Sequence, residues 1–356
     1  MEKYVAAILR EAACRQVLLT EPVETVYVGG GTPSLLPPAM TEHLLSGLKK
    51  QIGFDHVFEF TVEANPGTVS PEWLDVLRCH GVNRISFGVQ AVQDALLKTL
   101  GRIHRFDDVK KTMNEARSAG FSNINLDLIF GIPGQKADDW IQTIHEILAL
   151  SPEHISAYGL IPEEGTPLFR DLANGKISLP DVDIERDMYD AAISAFQNAG
   201  YHQYEISNFA KPGFECRHNI GYWNQISYLG LGLSAASMLK CAPDDINRFS
   251  VRWTNPESFN EYYDTIGNRD SFEKRKENIS QSEARFETVM LSLRMTSGMR
   301  RSRFRDLHGH VPEYWYGDVL KRLRDQGMME LHDDSWRLTR RGMDIQNSIL
   351  LEFMDL

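Results

Sequence analysis

The chain has 356 residues, of which 42% are hydrophobic and 24% charged, as in a folded globular protein with one large and one smaller domain. Its formal net charge of -11 disfavours nucleic acid as a partner, and it also disfavours an anionic membrane surface. No apolar run reaches the roughly 18–20 residues that cross a bilayer, so we expect a cytoplasmic protein with no transmembrane segment.

Up to about residue 165, helical and strand-like patterns alternate along the chain. Helices are predicted at 3–19, 39–51, 70–81, 107–119 and 138–150. The helix at 70–81 has Ser70 as its N-cap and Pro71 at its first position, and Gly81 marks its end. Buried strands are predicted at 25–28, 58–62, 84–89, 124–129 and 154–158. Short connections between alternating elements predict parallel βα units. Periodicity alone leaves an open doubly wound sheet and a partial or full barrel as alternatives.

Beyond residue 165 the pattern changes. We predict a long helix at 183–199, a strand and loop at 200–209, an aromatic and glycine-rich stretch at 222–232, and a loop-rich region at 243–280 with a helix near 256–266. From residue 281, a helix, a short helix, a helix at 313–326, a strand pair around Glu330 and Arg337, and a final helix from Gly342 follow. This order is typical of a winged-helix module, but the net charge argues against inferring DNA binding from it.

The four cysteines are widely spaced: Cys14, Cys79, Cys216 and Cys241. They show no disulfide framework and no CxxC or CxxxCxxC spacing. Cys216 and His218 form a Cys-x-His pair, but two ligands do not make a metal site. The sequence therefore predicts no metal site built from its own residues.

Polar residues and glycines follow each predicted strand, where ligands bind in parallel βα folds. In chain order they are Gly29-Gly30-Gly31-Thr32-Pro33, Glu63-Ala64-Asn65-Pro66, Gln90, Asp127 with Gly131-Ile132-Pro133-Gly134, and Gly159. Backbone N–H groups, carboxylates and an amide suit a ligand with an amine, a carboxylate and ribose hydroxyls. Any one of these residues alone is equally well explained as a turn glycine or a helix cap, so the prediction depends on all five sites together.

Five motifs at these strand ends resemble the consecutive motifs of the radical S-adenosylmethionine (radical-SAM) family. They are residues 27–34 (YVGGGTPS), 63–66 (EANP), 86–90 (SFGVQ), 100–102 (LGR) and 127–134 (DLIFGIPG). The resemblance implies an α/β fold, namely an incomplete (β/α)6 barrel followed by a smaller, mainly helical, winged-helix-like C-terminal domain. It also implies three regions: a partial barrel at 1–165, a linker and haem-associated region at 166–280, and a C-terminal domain at 281–356.

The resemblance further implies which residues contact S-adenosylmethionine (SAM). Gly30, Gly31 and Thr32 match the positions at its methionyl end; Glu63, Gln90, Arg102, Asp127 and Gly159 match further contacts. The family's 4Fe-4S cluster is held by a CxxxCxxC loop, and its cysteine ligands are missing from this sequence. The loop would precede the helix at 3–19. We expect a truncated N-terminus rather than a cluster-less variant, because without a preceding strand the segment at 25–28 is an uncovered apolar edge.

A second set of motifs resembles the haem chaperones of the HemW type, which are relatives of the oxygen-independent coproporphyrinogen III oxidases. The motifs are residues 164–168 (EGTPL), 204–210 (YEISNFA) and 218–223 (HNIGYW). The HNxxYW motif implies a role of His218 in haem handling, and a neutral imidazole is a good axial iron ligand. Tyr222 and Trp223 are suited to pack on a porphyrin face. The residues alone are also compatible with a structural histidine in an aromatic cluster.

The resemblance implies a protein that binds haem and transfers it to acceptor proteins, namely respiratory cytochromes, with SAM as a co-ligand. An alternative function is the radical-SAM oxidation of coproporphyrinogen III in porphyrin biosynthesis, and a third is SAM binding without haem. The sequence leaves the existence of a homodimer open.

Overall fold

The computed structural model describes residues 1–242, 245, 247–266 and 275–354. The chain divides into two compact units. The first comprises residues 23–203 and 207–216 together with Met1, and the second comprises 2–22, 204–206 and the described part of 217–356. The three regions implied by the family resemblance stay a prediction, because compact units need not coincide with evolutionary domains.

The helices of the described residues, in chain order, are α1 (Glu2–Arg15), α2 (Pro38–Ile52), α3 (Pro71–Cys79), α4 (Asp94–Thr99), α5 (Phe106–Ser118), α6 (Ala137–Ala149), α7 (Pro167–Ala173), α8 (Val182–Asn198), α9 (Arg217–Trp223), α10 (Phe259–Thr265), α11 (Gln281–Arg294), α12 (Arg301–His308), α13 (Pro312–Asp325), α14 (Arg340–Asp344) and α15 (Gln346–Leu351). The strands are β1 (Thr25–Val28), β2 (Glu59–Ala64), β3 (Arg84–Gln90), β4 (Ile124–Phe130), β5 (His154–Gly159), β6 (His202–Gln203), β7 (Asn208–Ala210), β8 (Ala236–Lys240), β9 (Ser250–Thr254), β10 (Glu277–Ile279), β11 (Met299–Arg300), β12 (Met329–His332) and β13 (Ser335–Leu338).

The first unit is built on a seven-stranded sheet in the order β1-β2-β3-β4-β5-β7-β6. Strands β1 to β5 are parallel, which confirms the predicted βα units. Strand β7 runs antiparallel to β5, and β6 runs antiparallel to β7. The sheet does not close into a barrel within the described residues, as expected for an incomplete (β/α)6 barrel.

Local sequence signals define the start and the end of helix α3. The Ser70 side chain accepts a hydrogen bond from the Trp73 N–H at 3.2 Å, and Pro71 occupies the first turn, where its missing N–H costs nothing. After the helix, Gly81 adopts a φ of +88°, a conformation that glycine tolerates best. Both predicted boundary signals are therefore confirmed.

The two faces of the parallel sheet differ in polarity. One face carries Phe60, Val62, Ile85, Phe87, Leu126 and Ile155, which belong to the main hydrophobic core. The opposite face carries polar residues on adjacent strands. The register aligns Thr61 with Arg84, and it aligns Asn125 with His154. Polar groups at these buried positions need hydrogen-bond partners within the protein, so this face is built as a network.

The second unit contains two antiparallel three-stranded sheets, β10-β9-β8 and β11-β13-β12. Helices α11, α12 and α13, the β12–β13 hairpin and helix α14 occur in the predicted winged-helix order. The loop-rich prediction for 243–280 was wrong for β9 and β10, while α10 confirms the helix near 256–266. The part of that prediction at 243–244, 246 and 267–274 lies outside the described residues. No helix of the described residues is long and apolar enough to span a membrane.

A buried carboxylate ties α1 into the second unit. Glu11 is only 2% exposed. It accepts hydrogen bonds from the Gly232 N–H at 2.7 Å, the Asn255 amide at 2.8 Å and the Tyr262 hydroxyl at 2.6 Å, and it pairs with Arg15 at 2.8 Å. These partners satisfy both carboxylate oxygens, as the burial of a carboxylate requires.

We expect Glu11→Ala to lower the free energy of unfolding by about 3–5 kcal/mol, because it leaves three donors without their acceptor and breaks the ion pair with the half-buried Arg15. Urea unfolding followed by circular dichroism measures the change. Glu2→Ala, on the exposed start of the same helix, is the matched control and should cost less than about 1 kcal/mol. Equal stabilities of the two variants would contradict this account of α1.

Candidate functional site

The glycine loop after β1 is joined to β2 through the carboxylate of Glu63. The Tyr27 hydroxyl donates to Glu63 Oε1 at 2.7 Å, and the Gly30 N–H donates to Oε2 at 3.2 Å. Burial raises the pKa of Glu63, and nearby Asp127 raises it further, whereas the bonds from Tyr27 and Gly30 lower it. Both oxygens are thus held in place, with lone pairs left for an additional donor.

The three loop glycines have different surroundings. A Cβ on Gly29 would lie 2.6 Å from Glu63 Cδ and 2.7 Å from Tyr27 Cε1, so only glycine fits there. Gly30 has a φ of +83°, and nothing lies within 4 Å of a Cβ added to Gly30 or to Gly31. The backbone is therefore open at Gly30 and Gly31, where a ligand can approach closely.

The loop after β2 is hydrogen-bonded to the loop after β1. The Asn65 side-chain amide donates to Thr32 Oγ1 at 3.2 Å, and the Asn65 N–H donates to Ser34 Oγ at 3.2 Å. The EANP and GGGTPS motifs are therefore physically connected, which the sequence alone did not establish.

At the middle of the sheet, Asp127 is held by its neighbours in the polar network. Ser86 Oγ donates to Asp127 Oδ2 at 2.8 Å, and Asn125 Nδ2 donates to Oδ1 at 2.9 Å. Gln90 ends β3 at a register shift, with a φ of +68°, and its side chain folds back over Gly88. Asp127 and Gln90 thus lie on neighbouring strands at the same end of the sheet.

Arg102 and Gly159 are the remaining residues matched to SAM contacts. Arg102 lies near His104, whose Nε2 is 3.3 Å from the Val89 carbonyl oxygen. Burial lowers the pKa of His104, and the Arg102 charge lowers it further. Gly159 pairs with Phe130 at the ends of β4 and β5, and the carboxylate of Glu185 lies against it. The place of Glu185 beside Gly159 comes from the packing of α8 and leaves no spacing signal in the sequence.

All eight residues matched to SAM contacts lie in the first unit. Seven of them lie on the parallel strands or directly after them, whereas Arg102 follows helix α4. Three residues that sequence reasoning had not assigned a role here hold the site together: Tyr27, Ser86 and Asn125. Their side chains alternate with core residues along the strands, which is a signal that the strand pattern contains.

His218 lies in the second unit, at the start of α9. Its Nε2 is 3.0 Å from the Tyr222 hydroxyl, and the two rings meet edge to face with centroids 4.8 Å apart. Tyr222 packs in the same way on Tyr228 at 4.7 Å. The guanidinium of Arg294 lies 4.5 Å from the centre of the Trp223 ring. The HNxxYW motif thus forms an aromatic stack that contains one imidazole.

The thiols do not assemble a cluster site. Cys14 and Cys79 are exposed, Cys241 is half-buried, and the Cys216 thiol is buried 3.5 Å from Glu59 Oε1. Within the described residues, no group of three or more His, Cys, Asp or Glu side chains is placed to hold a metal ion. These side chains do not fit a 4Fe-4S cluster.

Comparisons with known proteins agree with this arrangement. A model of the radical SAM superfamily matches residues 5–147, and a model of the HemN C-terminal domain matches residues 279–345. Coproporphyrinogen III oxidase (HemN) from Escherichia coli has a similar structure, with a TM-score of 0.81, 22% identity, and coverage of 99% of this chain and 83% of that chain. At this identity the likeness shows the fold alone.

Proteins with similar sequences have names that are more specific than the superfamily. The heme chaperone HemW of Bacillus subtilis is 33% identical, covering 99% of this chain and 92% of that protein. HemW of Lactococcus lactis is also 33% identical, with 99% and 90% coverage. HemW of a Synechocystis strain is 37% identical, with 83% and 70% coverage. The chain belongs to the haem chaperone HemW family of the radical SAM superfamily.

Gly29 and Gly31 differ in the space around them, so the same substitution should affect stability differently at the two positions. Gly29→Ala should lower the free energy of unfolding by about 1–3 kcal/mol, because the new methyl group displaces the Glu63 carboxylate or the Tyr27 ring. Gly31→Ala adds the same methyl group in open space and should leave stability nearly unchanged. Thermal unfolding compares the two variants, and a loss of stability in Gly31→Ala as large as that in Gly29→Ala would contradict the packing described.

Proposed function

We propose that the chain is a haem chaperone that binds haem through His218 and transfers it to acceptor proteins, with SAM as a co-ligand in the first unit. The observation that carries this proposal is the position of His218 within the aromatic stack of α9, in a chain whose relatives are named heme chaperone HemW. The HNxxYW motif favours this function over coproporphyrinogen oxidation.

The contacts of His218 suit a ligand that must later release its cargo. An imidazole nitrogen with a free lone pair ligates haem iron, and Nε2 here is engaged by the Tyr222 hydroxyl. Ligation through Nε2 therefore replaces a hydrogen bond, which reduces the net gain on binding. The Tyr222 hydroxyl is placed to recover that bond as haem leaves, so the exchange favours transient rather than permanent binding.

The carboxylates of the first unit suit SAM as the co-ligand. The Glu63 carboxylate faces the open backbone of Gly30, and it is an acceptor for the amine of the methionyl group. The fixed carboxylate of Asp127 is an acceptor for ribose hydroxyls. In the superfamily, SAM together with the cluster supplies radical chemistry, whereas the residues described here bind and orient.

Haem titration followed by the Soret band tests the role of His218. We expect His218→Ala to weaken haem binding at least about tenfold, because the axial nitrogen is removed. The matched control is His310→Ala, since His310 also contacts a tyrosine ring, that of Tyr314, with centroids 4.1 Å apart in the same unit. An unchanged Soret titration in His218→Ala would remove the proposed haem ligand.

The Tyr222 hydroxyl should act as a competitor for the imidazole. We expect Tyr222→Phe to tighten haem binding about 2- to 10-fold, because iron no longer displaces a neutral hydrogen bond. Tyr228→Phe keeps the His218–Tyr222 bond and serves as the control. Weaker haem binding in Tyr222→Phe than in the control would show that the hydroxyl assists ligation instead of competing with it.

A further inference from the structure

Two basic residues, Lys240 and Arg303, contact the segment that directly follows α9, the helix that begins at His218. A guanidinium N–H of Arg303, on α12, donates to the carbonyl oxygen of Asn224. The backbone N–H of Lys240, at the end of β8, donates to Ser227 Oγ at 3.0 Å. A helix rises about 1.5 Å per residue, so Asn224 lies roughly 9 Å from His218 along the axis of α9. Both basic residues are therefore fixed near the far end of that helix.

The strand register places the Lys240 side chain on the same side as the aromatic stack. Tyr228 and Met238 form an antiparallel bridge in which each N–H donates to the carbonyl of the other, at 2.8 and 3.0 Å. Residues two positions apart on a strand share a face, so Lys240 is a diagonal neighbour of Tyr228. The Tyr228 ring contacts Tyr222, whose hydroxyl lies 3.0 Å from His218 Nε2. Lys240 is thus on the side of the strand that leads to the proposed haem ligand.

The two basic side chains are half-buried and lack a carboxylate partner. Among the residues that the structure describes, neither Lys240 nor Arg303 forms an ion pair, and Lys240 Nζ donates no hydrogen bond. The ammonium group lies 5.7 Å from the centre of the Phe249 ring. Burial lowers the pKa of Lys240, the Arg303 charge lowers it further, and the exposed Glu21 offsets part of the change.

The positive potential of this region extends to a neighbouring histidine. His308, on the same helix as Arg303, stacks on Phe249 with ring centroids 5.5 Å apart. Burial, together with the charges of Arg285 and Lys240, lowers the pKa of His308 to about 4. Partly buried positive charges without a counter-ion are unfavourable, and an anion that binds between them removes that cost.

We propose that Lys240 and Arg303 bind the two carboxylate arms of the haem whose iron is ligated by His218. This rests on the proposed haem binding through His218. Haem is a flat apolar macrocycle with two carboxylates on one edge, so aromatic rings suit its face and cations suit that edge. The formal net charge of the protein is -11, which repels an anion elsewhere, so the two cations fix the orientation of the macrocycle.

Soret titrations of the full chain with haem and with haem dimethyl ester test the assignment. In the ester both carboxylates are methylated and the iron is unchanged, so axial ligation is retained. The wild-type protein should bind haem at least about tenfold more tightly than the ester, as expected for hydrogen bonds between charged groups.

Variants of Lys240 separate its charge from its place in the fold. In Lys240→Met the preference for haem over the ester should fall at least about threefold, with ester affinity unchanged, because only the ammonium group is lost. Lys240→Arg keeps the charge and should keep the preference. Lys321→Met, at an exposed lysine on α13, is the matched control and should bind both compounds as the wild type does.

Each other outcome overturns a stated part of the proposal. Equal wild-type affinity for haem and its ester rejects the carboxylate site and leaves haem ligation by His218 standing. A full preference retained in Lys240→Met, or an equal loss of affinity for both compounds, rejects the role of the Lys240 charge. Failure of the wild-type protein to bind either compound rejects haem ligation and the carboxylate site together.

Discussion

The polar face of the parallel sheet is the constraint on which the first unit depends. Most of its polar side chains are buried, so they depend on one another for hydrogen bonds. Asn125 is central: it donates to Ser86 and Asp127, and its carbonyl oxygen lies 2.6 Å from His154 Nδ1. Burial, together with the nearby Arg84 charge, holds the pKa of His154 well below its usual value. The network thus fixes the Asp127 carboxylate through the side chains of Ser86 and Asn125.

The same principle operates at the edge of the sheet. Glu63 is held by Tyr27 and Gly30, and Gly29 must lack a side chain because Glu63 and Tyr27 occupy that space. The site is therefore rigid on the side where the carboxylate is bonded and open at Gly31. Glu185 differs from the other carboxylates, since it is positioned by packing rather than by hydrogen bonds.

In the second unit, the buried carboxylate of Glu11 has a structural role. Glu11 gathers an arginine, an amide, a hydroxyl and a backbone N–H, and so joins α1 to distant parts of the chain. His218 lies in that unit among aromatic rings, with one nitrogen engaged by a hydroxyl. Because similar folds support different chemistries, the function is argued from His218 and its neighbours rather than from the likeness to HemN.

The sequence by itself determined the alternation of helices and strands, because hydrophobic period and capping residues such as Ser70 are local properties of the chain. It also determined the family, since the order of the glycine and carboxylate motifs is a linear feature. Only the tertiary structure decided that α1 belongs with the second unit. It also decided that β9 and β10 pair in a stretch without a clear strand pattern. The roles of Tyr27, Ser86 and Asn125 in holding the site likewise became visible only in the structure. It also placed Glu185 beside Gly159. These are contacts between residues far apart in the chain, and no local pattern records which distant side chains meet.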